Sequence, residues 1–485
     1  TPFTVQKDFY KRGTSTSNSQ RYQCKACKKF TNVLPDKTRN TGYHQQRNDI
    51  LPKFAKHLIN RVPVSRTCEI LGIGRGTYYS KLEWLYRCCL EFLETRETNV
   101  FRKKEFPEIW LSTDKMMYVL NNVRKKGESN RVKHSSVEKQ LPTQVVVSSD
   151  QASRYVFRAD VAFDWDITKD QIYFDTEIYK DDHLSDFLSK NGRFNKYGRH
   201  PMLPSDNDTQ SMSEYAYQQD EFNKRFVYVD GLHVNPTYTT AAHLWHIKKL
   251  INTSKWRFIT DDDVSLITAI NRSFVDEIKS KNAYTFICKV NKTLSRRDAF
   301  QEYQESIKEL ISWSKRKGLD EKNLHLIAYY VLLEKLMTHK FHKVNHTANG
   351  EIYYTHASNP IEHPLGMKDR GKRTIDCLTD MSHLPTNILT GFVDRINDNS
   401  VNAFLQQIRR SISVLERPLV TSRGDGKSYI YSNFNPKYAQ MAITILRTYY
   451  NFCKPYKVGN DKKTPAQFLG IADKVYSWDD IIYKR

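Results

Sequence analysis

The stretch 256–263 reads Trp-Arg-Phe-Ile-Thr-Asp-Asp-Asp, so a short apolar run comes directly before three carboxylates. A similar unit occurs earlier, where the apolar stretch 109–113 is followed at once by Asp114. Short apolar runs that contain aromatic and β-branched residues are typical of buried strands. The sequence therefore predicts two buried strands that each run into an acidic residue, Asp114 in the first and Asp261 in the second.

The segments around these two runs predict the rest of a sheet. Two further strands are expected at 143–149 and 155–161, and the apolar spacing predicts helices at 241–251 and 265–278. A last strand is expected at 284–290. The order strand, strand, strand, helix, strand, helix, strand is that of a ribonuclease-H-like core, in which the first and fourth strands are neighbours.

That adjacency would have a chemical consequence. It would bring Asp114 and Asp261 together, where carboxylates can share divalent ions in a two-metal site. Taken alone, the three consecutive aspartates are equally compatible with a solvated turn or with the N-cap of a helix.

The charge of the chain indicates its partner. The 485 residues include 76 Lys and Arg against 54 Asp and Glu, a formal net charge of +22. Nucleic acid is favoured, because each phosphate neutralised by Lys or Arg releases counterions. An anionic membrane surface is the alternative, but no apolar run approaches the ~20 residues needed to span a bilayer. We therefore expect no membrane partner, and the absence of a recognisable signal peptide favours a cytoplasmic protein.

The N-terminal part contains a cysteine pair. Segment 21–30 places Cys24 and Cys27 in a C-x-x-C pattern, followed by basic and aromatic residues. The pattern resembles the second half of a zinc ribbon, but tetrahedral zinc needs four ligands and this knuckle supplies two. A partial zinc site and two ordinary thiols therefore both stay open, with His44 and Cys68 as conceivable substitutes for the other ligands.

A helix-turn-helix is predicted next. Helical spacing of apolar residues covers 49–60, a second short helix is expected from Ser65 to Leu71, and a turn at 72–74 precedes a third helix. In such a unit the last helix enters the major groove with its N-terminal residues. The candidate DNA-contacting residues are Arg75, Thr77, Tyr78 and Lys81. A helical hairpin that only packs is the alternative.

Several motifs in a shared order resemble the zinc-ribbon, helix-turn-helix DDE transposases of bacterial insertion sequences. The segments that carry the resemblance are 20–27, 260–263, 408–410 leading to 415–418, 449–451 and 464–470. The resemblance implies metal-dependent cleavage at transposon ends and strand transfer into target DNA, with Mg²⁺ or Mn²⁺. It further implies double-stranded DNA as partner, a homodimer or higher oligomer on DNA, and a location in the bacterial nucleoid.

The resemblance also implies a third acidic ligand on a helix after the fifth strand. Residues 401–415 have a strong helical pattern, and Glu416 at its end is the candidate. Asn402 lies near the start of this helix. Two alternatives therefore stay open: an amide that binds the metal more weakly than an acid, or an enzyme that has lost catalysis. A structural ion pair of Glu416 with Arg409 or Arg410 is the alternative role. In the family pattern Arg409 and Arg410 hold the DNA backbone, and a solvated basic face is the other interpretation.

The expected organisation is a partial zinc ribbon (1–45), an all-α helix-turn-helix domain with a linker helix (46–98), and an α/β ribonuclease-H-like catalytic core in two parts (99–292 and 386–455). A mainly helical insertion (293–385) separates the two parts, and a tail (456–485) follows. The leading hypothesis is a DNA transposase. The alternatives are a DNA-binding regulator that has lost catalysis and a nuclease of the same fold.

Overall fold

The structure is a computed structural model that describes residues 6–14, 20–33, 47–120, 141–165, 203–204, 211–224, 232–234, 236–417, 419–420, 427–428, 431, 435–458 and 460–483. His44, a conceivable zinc ligand, lies outside these described residues. Within them, no helix combines the length and the apolar character needed to cross a membrane.

The N-terminal part consists of a small antiparallel sheet followed by helices. The strands are β1 (Phe9–Thr14), β2 (Gln20–Cys24) and β3 (Phe30–Val33), and the helices are α1 (Leu51–Ile59), α2 (Val64–Leu71), α3 (Arg75–Leu93) and α4 (Asn99–Phe101). The predicted turn between α2 and α3 is confirmed, because Gly72 ends α2 with φ 60°, a left-handed conformation that glycine adopts at little cost. A π-helical turn, Glu94–Thr98, joins α3 to α4.

The middle of the chain forms most of the central sheet. Its elements are β4 (Glu105–Phe106), β5 (Ile109–Leu120), β6 (Leu141–Asp150), β7 (Val156–Val161), β8 (Phe163–Asp164), α5 (Met212–Lys224), β9 (Leu232–His233), α6 (Pro236–Leu250), β10 (Asn252–Thr253), β11 (Trp256–Thr260), α7 (Val264–Ser273), α8 (Val275–Lys279) and β12 (Ala283–Val290). The predicted order of strands and helices is confirmed in this region.

The remaining elements follow β12. They are α9 (Arg296–Arg316), α10 (Leu324–Leu336), β13 (His342–His346), β14 (Ile352–His356), β15 (Ile361–Glu362), β16 (Arg373–Cys377), α11 (Thr386–Arg395), α12 (Asn399–Ser411), β17 (Leu419–Val420), β18 (Lys427–Ser428), α13 (Pro436–Phe452), β19 (Tyr456–Val458), β20 (Asp461–Lys463), α14 (Pro465–Phe468) and α15 (Trp478–Tyr483). Short 3-10 turns occur at Gln6–Asp8, Asn48–Ile50 and Ser413–Leu415.

The protein is therefore a mixed α/β fold around a seven-stranded sheet in the order β15-β16-β12-β11-β5-β6-β7. Strands β5, β6 and β7 form an antiparallel meander. β11 runs parallel to both β5 and β12, so the first and fourth strands of the predicted order are neighbours as expected.

The insertion differs from the prediction of a mainly helical segment. Its first half is helical, as predicted, in α9 and α10. Its second half forms the hairpin β13–β14 and then two strands that join the central sheet, with β16 antiparallel to β12 and β15 antiparallel to β16. Arg373–Cys377 pairs with the edge of β12 that lies opposite β11, and it is mostly buried and contains the β-branched residues Thr374 and Ile375.

Helices cover both faces of the sheet. The hydroxyl of Ser148 in β6 lies 2.8 Å from Nε2 of His243 in α6, and the hydroxyl of the next residue, Ser149, lies 3.0 Å from that of Ser400 in α12. Successive residues of a strand point to opposite faces. Helices α6 and α12 therefore lie on opposite faces, and α12 covers the face of Ser149.

The expected separate domains share one hydrophobic core. Buried side chains of α1 and α3, of the sheet and of α12, α13 and α15 belong to a single contiguous cluster. A second cluster joins buried side chains of β5, β11, β12 and β16 to those of α10 and α11. The helix-turn-helix region is thus part of the same packed body as the sheet.

Candidate active site

The register of β5 and β11 places two of the predicted acidic residues side by side. Thr113 of β5 lies opposite Thr260 of β11, so Asp114 and Asp261 are the next residues of two neighbouring parallel segments. The structure differs from the prediction in one respect, because Asp114 does not end its strand. β5 continues to Leu120 along β6, and only β11 stops here. Asp114 is therefore held by a strand that is paired on both sides up to this point.

The three consecutive aspartates have three different lysine partners. Asp261 pairs with Lys292, and Asp262 pairs with Lys289 at 2.6 Å. Asp263 accepts a 2.8 Å bond from the ammonium of Lys115 and caps α7 by accepting from the backbone N–H groups of residues 265 and 266. The N-cap role considered above for the three consecutive aspartates thus belongs to Asp263. Asp261 does not cap the helix.

A third carboxylate, that of Asp398, stands directly before α12. Burial is the largest cause of the raised pKa of Asp114, and the charge of Asp398 acts in the same direction, which places Asp398 within electrostatic reach of Asp114. The guanidinium of Arg370 holds the carboxylate of Asp398 through both terminal nitrogens, with Nη1 at 2.7 Å from Oδ2, and the side-chain amide of Asn402 donates to the same oxygen. Sequence reasoning missed Asp398, although an aspartate just before a predicted helix was an available signal.

Glu416, the third acidic residue predicted from the sequence, lies beyond the end of α12. α12 ends at Ser411 and not at residue 415, a 3-10 turn follows, and Glu416 itself has an extended backbone. Its carboxylate accepts a 2.9 Å bond from Nε of Arg61, in the turn between α1 and α2. The predicted partners of a structural ion pair, Arg409 and Arg410, are therefore replaced by Arg61. The carboxylate of Glu416 is thus engaged by Arg61, whereas the charge of Asp398 acts on Asp114.

Asn402, the other residue considered for the third position, acts on Asp398. Its side-chain amide lies one turn inside α12 and donates both to the backbone carbonyl and to the carboxylate of Asp398. Its contact thus orients the acid that precedes the helix.

The electrostatics of Asp114 fit a cation-binding carboxylate. Burial raises the pKa of Asp114 to about 6, and the charges of Asp261 and Asp398 act in the same direction. A 2.6 Å hydrogen bond from the backbone N–H of Lys115 and the charge of Lys292 act in the opposite direction. A carboxylate surrounded by two others in a partly buried position is stabilised in its charged form by a bound cation.

The carboxylates of Asp114, Asp261 and Asp398 are not arranged around a single metal position. Among the described residues, no group of three His, Cys, Asp or Glu side chains is close enough to hold one ion together. Two of the three carboxylates are turned to cations of the chain, Asp261 to Lys292 and Asp398 to Arg370. The donor set has the hard oxygen chemistry that Mg²⁺ and Mn²⁺ prefer, but coordination requires these two side chains to turn.

Basic residues of α12 lie near the acids. Burial lowers the pKa of the Arg409 guanidinium, while the charge of Asp114 acts in the opposite direction, which places Arg409 within electrostatic reach of the site. The next residue, Arg410, is exposed. The two predicted phosphate-binding residues therefore have different surroundings, and Arg409 is the one within reach of the charge of Asp114.

The candidate DNA-contacting residues of α3 divide between its two faces. Arg75 and Thr77 are exposed at its N-terminus, as contact with DNA would require. Tyr78 and Lys81 are buried, and the Tyr78 ring packs edge-on against Phe54 at 5.1 Å. Tyr78 and Lys81, two of the candidate DNA-contacting residues, fall on the inward face of the helix, whereas Ser80 is exposed.

The cysteine pair forms a knuckle with two thiols. The backbone N–H of Lys28 donates to the carbonyl of Cys24 at 3.1 Å, which closes the tight turn before β3. Hydrogen bonds from Cys27, first from its backbone and then from its thiol, lower the pKa of Cys24. A lowered thiol pKa fits a metal knuckle. Cys68 lies in α2, and the described residues supply no group of three metal ligands here.

No protein-family model and no curated protein matches this chain. What the site can do chemically therefore follows from its own residues and their contacts.

Proposed function

We propose that the protein is a DDE-type DNA transposase with a ribonuclease-H-like catalytic core, and that Asp114, Asp261 and Asp398 are its acidic triad. The observation that carries the proposal is the register of β5 and β11, which makes Asp114 and Asp261 neighbours. Asp398 takes the third place in the proposal, instead of Glu416, because its charge acts on Asp114 while Glu416 is paired with Arg61.

The proposed chemistry is transfer of a phosphoryl group between DNA oxygens. Two divalent ions, Mg²⁺ or Mn²⁺, would supply activation of water or a 3′ hydroxyl and stabilisation of the leaving oxygen. Asp114 is fixed by its strand, whereas Asp261 and Asp398 lie at the end of β11 and at the start of α12. Arg409 lies within reach of the charge of Asp114 and is proposed to hold the DNA backbone near the reacting phosphate.

Double-stranded DNA is the proposed partner. The net charge of +22 supplies the sequence-independent part of the affinity. The exposed N-terminal residues of α3, Arg75 and Thr77, are proposed to contact the transposon end in the major groove. We propose that two or more copies act on paired ends, so that each end has one active site.

A plasmid assay tests the proposal. The full chain is incubated with Mg²⁺ and a supercoiled plasmid that carries the ends of the element, and the products are separated on a gel. Joined products support a transposase, and cuts without joining support a nuclease. Asp114→Asn, Asp261→Asn and Asp398→Asn should each reduce cutting by at least about a hundredfold. The matched control is Glu416→Gln, which should retain cutting within about tenfold. Full activity of the Asp398→Asn variant would contradict the proposed triad.

A DNA-binding regulator without catalysis is the second candidate. It is favoured by the ion pairs of Asp261 with Lys292 and of Asp398 with Arg370, which occupy two of the three carboxylates. A regulator would bind the ends in the same assay but leave the plasmid uncut with either Mg²⁺ or Mn²⁺.

A further inference from the structure

Lys292 lies at the same edge of the sheet as the acids. It follows the end of β12, and β12 is the parallel neighbour of β11, so both strands end on the side of Asp261. The ammonium of Lys292 pairs directly with the carboxylate of Asp261. The strand order thus brings a flexible cation to the carboxylates.

The charge of Lys292 acts on all three acids. The hydrogen bond to Asp261 raises the pKa of Lys292, and the charges of Asp261, Asp114 and Asp398 act in the same direction. In turn, Lys292 opposes the rise in the pKa of Asp114. Three carboxylates in one place repel one another, and a nearby positive charge offsets part of that repulsion.

The other lysines of this region are placed differently. Lys115 is only 11% exposed and holds Asp263, the cap of α7, so it belongs to the framework. Lys289 pairs with Asp262, which is not one of the three proposed metal ligands. Lys292 is 69% exposed, so it can leave Asp261 for solvent without breaking any buried contact.

We propose that Lys292 is an internal counter-ion of the three aspartates and competes with the divalent metal ion for Asp261. This inference rests on the proposed function, because it takes the three aspartates to be the metal ligands. Metal binding then requires Lys292 to leave Asp261, and the protein binds the ion more weakly than its three carboxylates alone would. Lys292 thereby lowers the occupancy of the site at a given metal concentration.

Calorimetric titration of the full chain with Mn²⁺, in the absence of DNA, tests the inference. Lys292→Met keeps a long side chain but removes the charge, and Lys289→Met is the matched control three residues away. Lys292→Met should bind Mn²⁺ about fivefold more tightly than the wild type. Lys289→Met should stay within about twofold. An Asp114→Asn titration shows whether the measured binding belongs to this site, and circular dichroism spectra show whether each variant is folded.

The outcomes separate the two proposals. If the wild type binds Mn²⁺ through Asp114 but Lys292→Met binds no more tightly, the counter-ion role is wrong and the proposed function stands. If both lysine variants tighten binding equally, the effect is one of net charge and the specific role of Lys292 is wrong. If none of the folded proteins binds Mn²⁺, both the inference and the proposed metal site are overturned.

Discussion

At the scale of single residues, the candidate site depends on how one carboxylate is embedded. Asp114 is fixed in the middle of β5, and the structure provides it with one backbone hydrogen bond and the distant charge of Lys292. Asp261 and Asp398 instead have direct cationic partners. Among the three acids, Asp114 is therefore the one whose charge is opposed by burial without a direct ion pair, at a cost to the folded protein.

This cost predicts how stability depends on pH. The pKa of Asp114 is about 6 in the folded chain and near 3.9 in an unfolded one, so the folded state binds the proton more tightly between these values. The contribution of Asp114 to stability falls as the pH rises through this window. Asp114→Asn should be more stable than the wild type at pH 7.5 by about 1 to 2 kcal/mol, after a discount for partial exposure.

The measurement is urea unfolding without divalent metal at pH 4 and at pH 7.5. The gain in the free energy of unfolding of Asp114→Asn over the wild type should be small at pH 4 and reach its full size at pH 7.5. A gain of equal size at both pH values would show that the carboxylate charge is not its cause.

The residues of this site differ in how far the sequence predicts them. Asp114 and Asp261 follow from the order of strands, because neighbouring strands bring their residues together whatever lies between them. Asp398 does not, because its position depends on Arg370 in the insertion and on where α12 begins. Periodicity predicts a helix but does not fix its ends, so the pattern at 401–415 points to Glu416, whereas α12 ends at Ser411.

At the scale of elements, α13 protects the edge of the sheet. β7 is the last strand, and the side chain of Asn451 both accepts from the N–H and donates to the carbonyl of Val156. The side chain of Gln440 likewise accepts from the N–H of Val161 and donates to the carbonyl of Ala159. The segment 449–451, one of the motifs of the sequence resemblance, thus has a structural role: it satisfies an edge strand that would otherwise pair with another chain.

Removing this contact should lower stability. Asn451 is fully buried, so Asn451→Ala leaves two backbone groups of β7 without this partner. We expect the free energy of unfolding to fall by about 2 kcal/mol, measured by urea unfolding. Asn345→Ala, in the hairpin β13–β14, is the control and should change it by less than about 1 kcal/mol. Equal losses in the two variants would contradict the edge-protecting role.

The two faces of α3 predict two kinds of variant. Arg75→Ala removes an exposed cation and should weaken binding to the transposon end about tenfold without changing the melting temperature. Tyr78→Ala removes a buried ring and should lower the free energy of unfolding by about 3 kcal/mol. Fluorescence anisotropy and thermal melting separate the effects. A stable Tyr78→Ala variant with impaired binding would return Tyr78 to the set of DNA-contacting residues.

The sequence predicted the helices of this region but not which of their residues face inward. Tyr78 and Lys81 are polar or amphipathic, so their types do not identify the buried side. The inward face is set by packing against α1, where the ring of Phe54 contacts that of Tyr78.

At the scale of the whole molecule, the helix-turn-helix region and the sheet form one packed body. Their buried side chains share a core, and Arg61 joins the two through Glu416 and through a 2.8 Å bond from its backbone N–H to the carbonyl of Ser411. The N-terminal end of α3, which is proposed to contact DNA, is therefore held at a fixed position relative to α12. Sequence composition could not show this, because separate and shared cores have the same apolar content.

A shared core predicts cooperative unfolding. Hydrogen exchange followed by mass spectrometry should give α3 and β11 the same free energy of opening, because neither can lose its packing without the other. The urea dependence of exchange should also coincide for the two elements. Exchange of α3 at a free energy several kcal/mol below that of β11 would show that the helical region unfolds independently.

The central claim is that Asp114, Asp261 and Asp398 hold the catalytic metal. It is tested most directly by a crystal structure of the chain grown with Mn²⁺, with the ion located by its anomalous scattering. The account predicts Mn²⁺ bound by carboxylate oxygens of all three aspartates, with the ammonium of Lys292 moved away from Asp261. An ion bound by Asp114 and Asp261 with Glu416 as the third ligand, or no ion at these residues, would contradict it.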